Sequence, residues 1–352
     1  MTESHGMPVQ VNMADVALRA GVSIATVSRA LRGLPGVSPR TRSRVLSIVA
    51  ELDYVVSPAA SSLRGSTRRV AVVLPRLDSW FSSTMLATVE STLRQADLDV
   101  LVYQVSTQEK RAHFFRDLPT RRKVDAVVLI TLPIGPEEED RLDLMGVEVV
   151  VAGSRLGDFP SVNVDDVAIG VEAVEHLIGL GHTRIGMIRT SDTDGAKWAS
   201  DLHRRTGYLQ ALERHGLSHD PELLVTAPYG VKAGAVGVKQ LLSLDEPPTG
   251  VFCYSDDIAV AATTALRRHG LRVPQDVSLI GVDGHELGEL FEITTIDQHV
   301  VEQAQAASRM VLDLLTGRPP EQTHVTLPTH LRVRGSTGPV APPGKGSRVR
   351  GQ

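Results

Sequence analysis

The feature that most constrains the fold is an alternation, beyond Arg69, of short β-branched runs with amphipathic stretches. The runs VAVVLP (70–75), VLVYQV (100–105), DAVVLI (125–130) and VEVVVAG (147–153) are separated by helix-like segments at 83–96, 107–122 and 136–145. Near-continuous apolar runs of this kind are the pattern of parallel strands buried on both faces, with helices as crossovers. The alternation then repeats: helix 166–180, RIGMI (184–188), helix 198–215, LLVTA (223–227), helix 231–243, GVFCY (250–254), helix 257–269 and VSLIGVD (277–283). Two successive sets of βα units predict two doubly wound α/β subdomains rather than one oversized sheet. TTID (294–297), a helix at about 301–316 and the segments HVTLP and LRVRG are too little for a further domain, so they are expected to thread back across both halves.

At 352 residues the chain has room for two or three domains. No run approaches the ~18–20 apolar residues of a membrane span. The start, MTESHGMPVQVNMADV, lacks a basic segment followed by an apolar stretch, so no secretory signal is expected. A single cysteine, Cys253, allows no internal disulfide and no multi-thiolate metal site, which fits a reducing cytosol. The expected location is cytoplasmic, with no membrane partner. The net charge of −4 divides unevenly: residues 1–69 carry +5 and the remainder −9. A basic head on an acidic body points to a polyanion that binds the head alone.

That head has its own pattern. In MADVALRAGVSIATVSRALR (13–32), Ala14, Val16, Ala17 and Ala20 form the inner face of a short helix, and Gly21 makes a tight turn. Ser23 caps a second helix that turns Val27, Ala30 and Leu31 inward, which gives a helix-turn-helix. VSPRTRSRVLSIVAELDY (37–54) supplies a third helix, capped by Ser38 with Pro39 in its first turn. The spacing alone also fits a plain three-helix bundle.

Other candidate chemistry is thin. There is no GxSxG, no HExxH and no Cys/His ligand pair, and HELGE (285–289) lacks the second histidine. GKG (344–346) has neither a following Ser/Thr nor a flanking strand and helix, so it is no phosphate loop. The reading is therefore a non-enzyme that needs no metal and no cofactor. A secreted solute-binding protein would share the core but would lack the head and would need a signal peptide.

The residues DVALRAGVSIATVSRAL and VSPRTRSRVLSIVAELDYVVSPAASSLRG resemble the head of the lactose/galactose repressor (LacI/GalR) family of bacterial transcription regulators. The resemblance continues through VNVDD (162–166), GHTRIGMI (181–188), RRTGYLQAL (204–212), PTGVFCYSDDIA (248–259), RVPQDVSLIGVD (272–283) and TTIDQ (294–298). It implies a helix-turn-helix head, a hinge helix and a periplasmic-binding-protein-like core of two doubly wound α/β subdomains with a small-molecule effector between them. The implied organisation is the head at 11–56, hinge helix and linker at 57–69 and a core at 70–335; composition adds a flexible arm at 1–10 and a disordered Pro/Gly-rich tail at 336–352. Within the core, about 70–161 with 299–322 form one subdomain and 162–298 with 323–335 the other.

By the same resemblance Ile24, Ala25 and Arg29 read bases in the major groove. Arginine's paired donors suit guanine, and small apolar groups suit a thymine methyl. The hydroxyls of Ser23, Thr26, Ser28, Ser38 and Thr41 suit phosphate oxygens, with ordinary helix capping as the other reading. SPAASSLRG (57–65) resembles the hinge helix, which places Ala60 and Leu63 in the minor groove with Leu63 as the wedge. In the core, Arg204 and Asp283 match the polar ligand-binding positions, Tyr229 an aromatic that covers a sugar face, and Phe81 the first strand-to-helix loop. Ser255 stands where many relatives carry asparagine, one donor fewer. Asp257 is read as a helix-start residue favoured by the dipole. The implied partners are a pseudo-palindromic double-stranded operator, a sugar or sugar derivative as effector, and a second copy of the chain. The implied function is an effector-controlled repressor. A global regulator set by a protein partner remains the other reading, and titration of sugars separates the two.

Overall fold

The computed structural model describes residues 13–31, 36–52, 67–121, 124–144, 146–191, 198–230 and 232–340. The head contains α1 (Met13–Ala20), α2 (Ile24–Leu31) and α3 (Pro39–Glu51). Its small core is Val16, Ala17, Ala20, Val27, Ala30, Val45 and Ile48, with Leu31 packed against it. Gly21 has φ 63, a left-handed turn that glycine makes without Cβ strain.

The core begins with β1 (Arg69–Leu74), α4 (Trp80–Gln95), β2 (Asp99–Gln104), α5 (Gln108–Arg121), β3 (Ala126–Ile130), α6 (Pro136–Leu144), β4 (Glu148–Ala152) and β5 (Ser161–Val164). There follow α7 (Asp166–Gly179), β6 (Ile185–Ser191), α8 (Ala199–Arg214), β7 (Leu224–Pro228), α9 (Lys232–Leu242), β8 (Gly250–Cys253), α10 (Asp256–Arg268), β9 (Ser278–Asp283) and α11 (Glu286–Leu290). Then β10 (Thr294–Asp297), α12 (Val300–Leu315), β11 (His324–Leu327) and β12 (His330–Arg332) complete it. They make two 6-stranded sheets, β2-β1-β3-β4-β5-β11 and β7-β6-β8-β9-β10-β12. Pairing is parallel except that β12 runs antiparallel to β10. Strands such as Ala126–Ile130 and Ser278–Asp283 are buried along their whole length, which is why they read as unbroken apolar runs. Each sheet is covered on both faces. No described helix is long and apolar enough to cross a membrane.

Three boundaries differ from those read in the sequence. β5 and β11 pair with each other and extend the first sheet, through Val151↔Ser161 and His324↔Ser161. The chain therefore changes halves after Val164, after Asp297 and after Leu327, and residues 162–164 and 323–327 belong to the first half. Second, α4 starts at Trp80, because the Ser79 side chain accepts the Ser82 N–H at 3.4 Å and caps it, so Phe81 is helical rather than in a loop. Third, the start of the tail is ordered. Ser336 is buried, donating to the Leu279 carbonyl at 2.6 Å and accepting from Thr294 N–H at 2.8 Å, and Val340 N–H reaches the Leu180 carbonyl. These bonds saturate backbone groups beside β9 and β10, a gain that Pro/Gly composition does not reveal.

The helices α7 and α8 cross at two glycines. A Cβ on Gly207 would lie 2.1 Å from the Val167 carbonyl oxygen, and one on Gly170 would lie 2.3 Å from that of Arg204. Gly207→Ala is therefore expected to lower stability by about 1–3 kcal/mol or more through overpacking. Gly179→Ala, on the same α7 with open space around it, should be neutral or stabilising. Urea unfolding with the slope unchanged checks both.

Candidate functional site

In α/β sheets of this kind ligands bind beyond the C-terminal strand ends, next to the switch point in strand order. Here the two sheets turn those ends toward one another. Arg76 follows β1, Thr131 follows β3, Asp166 follows β5, Trp198 follows β6, Tyr229 follows β7, Ser255 follows β8, Asp283 ends β9 and Gln298 follows β10, and all line one narrow cleft.

The sequence-derived residues Phe81, Arg204, Tyr229, Ser255 and Asp283 come together in this cleft. Arg204 is buried on α8, donating through Nε to Asp166 Oδ1 at 2.8 Å and through Nη1 to the Tyr254 carbonyl at 2.6 Å. Its guanidinium also lies 4.7 Å from the Tyr254 ring centroid. Burial disfavours this cation, but the carboxylates of Asp166 and Asp283 outweigh it and raise the pKa. Arg204 is thus a structural strut as well as a cleft wall.

Asp283 has φ 131, a backbone conformation that costs a non-glycine residue roughly 1–3 kcal/mol. Its Oδ1 accepts from Gln298 Nε2 at 2.6 Å. Burial pushes its carboxyl up to about 7, with Arg204 opposing and Asp257 adding to the shift. Neighbouring Asp256 is fully buried, accepting from His285 N–H at 2.9 Å and the Thr295 hydroxyl at 3.0 Å, and burial holds its carboxyl well above the ordinary range. Ser255 is the N-cap of α10, accepting the Ile258 N–H.

The cleft also gathers groups that the sequence reading did not single out. The chain is only 4% aromatic, yet Trp198 and Tyr254 join Tyr229 here, with the Trp198 centroid 5.3 Å from Tyr229 and 5.9 Å from Tyr254. The buried Trp198 Nε1 has no hydrogen-bond partner among the described residues. Asp257, read as a helix-start residue, takes the Tyr229 hydroxyl at 3.2 Å. The one available signal was position: Tyr254 immediately follows a buried strand and Trp198 immediately precedes α8. Cys253 is buried and its thiol is held protonated by burial. Among the described residues no His/Cys/Asp/Glu group is arranged to hold a metal ion.

In the head, Ser23 Oγ accepts the Thr26 N–H and pairs with the Thr26 hydroxyl, and Ser38 does the same with Thr41, so both serines cap their helices. These capped helix starts are exposed and present N–H groups where an anion can approach. Arg29 is exposed on α2, and its Nε donates to Asp158 Oδ2 at 2.8 Å. Ala25 is half-buried, and Ile24 packs partly against the head core, so only part of it is left to meet a base. Ser28 lies on α2. Ala60, Leu63 and the rest of the hinge segment 57–65 fall outside the described residues.

Residues 12–57 match the family of bacterial regulatory proteins known as the lacI family, and residues 174–337 match the periplasmic binding protein-like domain. The HTH-type transcriptional repressor CytR of Escherichia coli (strain K12) is 32% identical over 330 residues, covering 92% of this chain and 96% of CytR. The structure of the transcriptional regulator CelR–cellobiose complex is 28% identical with a TM-score of 0.69, covering 93% of this chain and 99% of that one. The lac repressor dimer bound to operator and the anti-inducer ONPF is 25% identical with a TM-score of 0.67, covering 94% and 100%. A helix-turn-helix joined to a two-sheet cleft, matched over 92% of its length at 32% identity, places the chain in the lacI family of bacterial regulatory proteins.

Proposed function

We propose that this protein is a sequence-specific DNA-binding transcription regulator, a repressor, whose operator affinity is set by a sugar or sugar derivative held in the cleft. It acts as a homodimer in the cytoplasm, by binding and not by catalysis. The observation that carries the reading is the union in one chain of an exposed reading helix with a cleft built from aromatic faces and buried polar groups. Relatives support both halves, since one is a complex with cellobiose and another a dimer on its operator.

The cleft chemistry suits hydroxyls better than anions. Arg204 is engaged by Asp166, and Arg76 by Asp78 at 2.9 and 2.6 Å, so each cation already faces a carboxylate. Asp283 and Gln298 offer paired acceptor and donor atoms, Trp198 Nε1 offers another donor, and the aromatic cluster offers the flat apolar surface that a sugar ring covers. A polar, aromatic-walled cleft of this construction favours a ligand over control by a protein partner alone. On DNA, two heads read the half-sites of a pseudo-palindrome, and Ala60 and Leu63 of the two hinge segments meet in the central minor groove.

Selection of DNA ligands from a random pool by the full-length protein tests the first half of the proposal; a pseudo-palindromic consensus is expected. Arg29→Ala should weaken binding to that site by about 1–3 kcal/mol and relax the preference at one base pair per half-site. Equal affinity of the wild type for specific and scrambled duplexes at physiological salt would refute the head assignment. The second half is tested by isothermal titration with a panel of neutral sugars. A ligand hydroxyl donates more strongly to ionised Asp283 than to the neutral acid, so binding lowers this carboxyl's pKa and affinity should rise with pH through about 7, then level off. Asp283→Asn should weaken binding and flatten that pH profile.

A further inference from the structure

Two contacts cross the cleft from the segment that follows β1. The Trp80 indole is stacked on the His285 imidazole, with centroids 4.6 Å apart and planes inclined by 21°. The Arg76 guanidinium lies over the Tyr229 ring, 5.1 Å from its centroid, while Asp78 holds its other side. Arg76 and Trp80 belong to the first half of the core, and Tyr229 and His285 to the second.

The receiving surface is held in shape by one carboxylate. Asp257 takes the Tyr229 hydroxyl on Oδ2 at 3.2 Å and faces His285 Nε2 with Oδ1 at 3.5 Å. His285 Nδ1 accepts the Leu287 N–H at 2.8 Å, which leaves Nε2 as the protonated nitrogen of a neutral ring. Burial lowers the pKa of this imidazole despite Asp257 and Glu286, so the ring that meets Trp80 is uncharged and suited to flat stacking.

We propose that these contacts form a clasp that closes the two halves over the cleft before a ligand enters, with Trp80 and Arg76 reaching across, His285 and Tyr229 receiving them, and Asp257 as the positioning residue. The clasp rests on the effector reading only for its purpose, which is to gate that site; its mechanical content concerns the ligand-free core. Tyr229 belongs both to the clasp and to the cleft wall, so a ligand that moves this ring loosens the clasp. A ligand can shift the equilibrium between closed and open core only through such a difference in contacts.

The two tryptophans of the chain make the test direct, because one closes the clasp and the other, Trp198, sits inside the cleft with 7% exposure. Trp80→Phe keeps a stacking ring and leaves Trp198 as the sole tryptophan, excited selectively over the tyrosines; Trp80→Ala leaves the same tryptophan without the ring. Acrylamide quenching of Trp198 is measured in both full-length variants, without ligand or DNA. A quenching constant several-fold higher in Trp80→Ala is expected. His285→Ala in the Trp80→Phe background should raise it likewise, and it serves as the second arm should Trp80→Ala fail to fold. His285→Phe in that background should return it toward the starting value. Equal quenching in the folded variants overturns the clasp and leaves the effector reading standing, whereas a failure of sugars to bind overturns that reading and leaves this measurement intact.

Discussion

The buried ion pair between Arg204 and Asp166 is the interaction on which the working end of the core depends. Asp166 is the first residue of α7, directly after the chain has left the first sheet, and Arg204 lies across from it on α8. Their meeting requires the two helices to approach as closely as Gly170 and Gly207 allow. A buried pair of this kind gains little over apolar packing, but removing one partner strands the other charge and typically costs several kcal/mol. The pair therefore locks the crossover to the second half and fixes the wall of the cleft. It also explains why Arg204 carries a raised pKa in a desolvated place, since Asp166 and Asp283 both stabilise the cation.

The layered core was legible because its strands are buried on both faces and its helices are short and periodic. The elements fall within a few residues of their sequence-derived bounds, and the five core residues named from the resemblance line one cleft. What the sequence did not reveal was pairing across long separations. Asp166 meets Arg204 38 residues away, and Tyr229 meets Asp257 28 away, so neither partner is marked by local spacing. Strands of four residues, Ser161–Val164 and His324–Leu327, carry no label for the sheet they join; register decides it. Ser336 looked like tail because its value lies in satisfying Thr294 and Leu279, which are distant in sequence.

Asp283 shows how geometry changes the meaning of a matched position. As a residue type it is an acceptor for hydroxyls; in place it is desolvated, held at a positive φ and tied to Gln298. Strain of this kind persists only where neighbours over-determine the conformation, and here Gln298 opens the second crossover while Asp256 buttresses the same strand end through His285 and Thr295. The cleft floor is thereby tied to a crossover segment that joins the two halves.

The root of the head is attached to only one of those halves. Asp125 accepts from the N–H groups of Thr67 at 3.2 Å and Arg69 at 3.3 Å, and the Arg68 guanidinium holds the carbonyl of Asp97 at 2.7 and 2.9 Å. Every one of these anchors belongs to the first half, and Arg69 continues directly into β1, an interior strand between β2 and β3. β1 ends where the cross-cleft contacts of Arg76 and Trp80 begin. A rotation of the first half against the second therefore carries the chain's exit point with it as a rigid extension of β1.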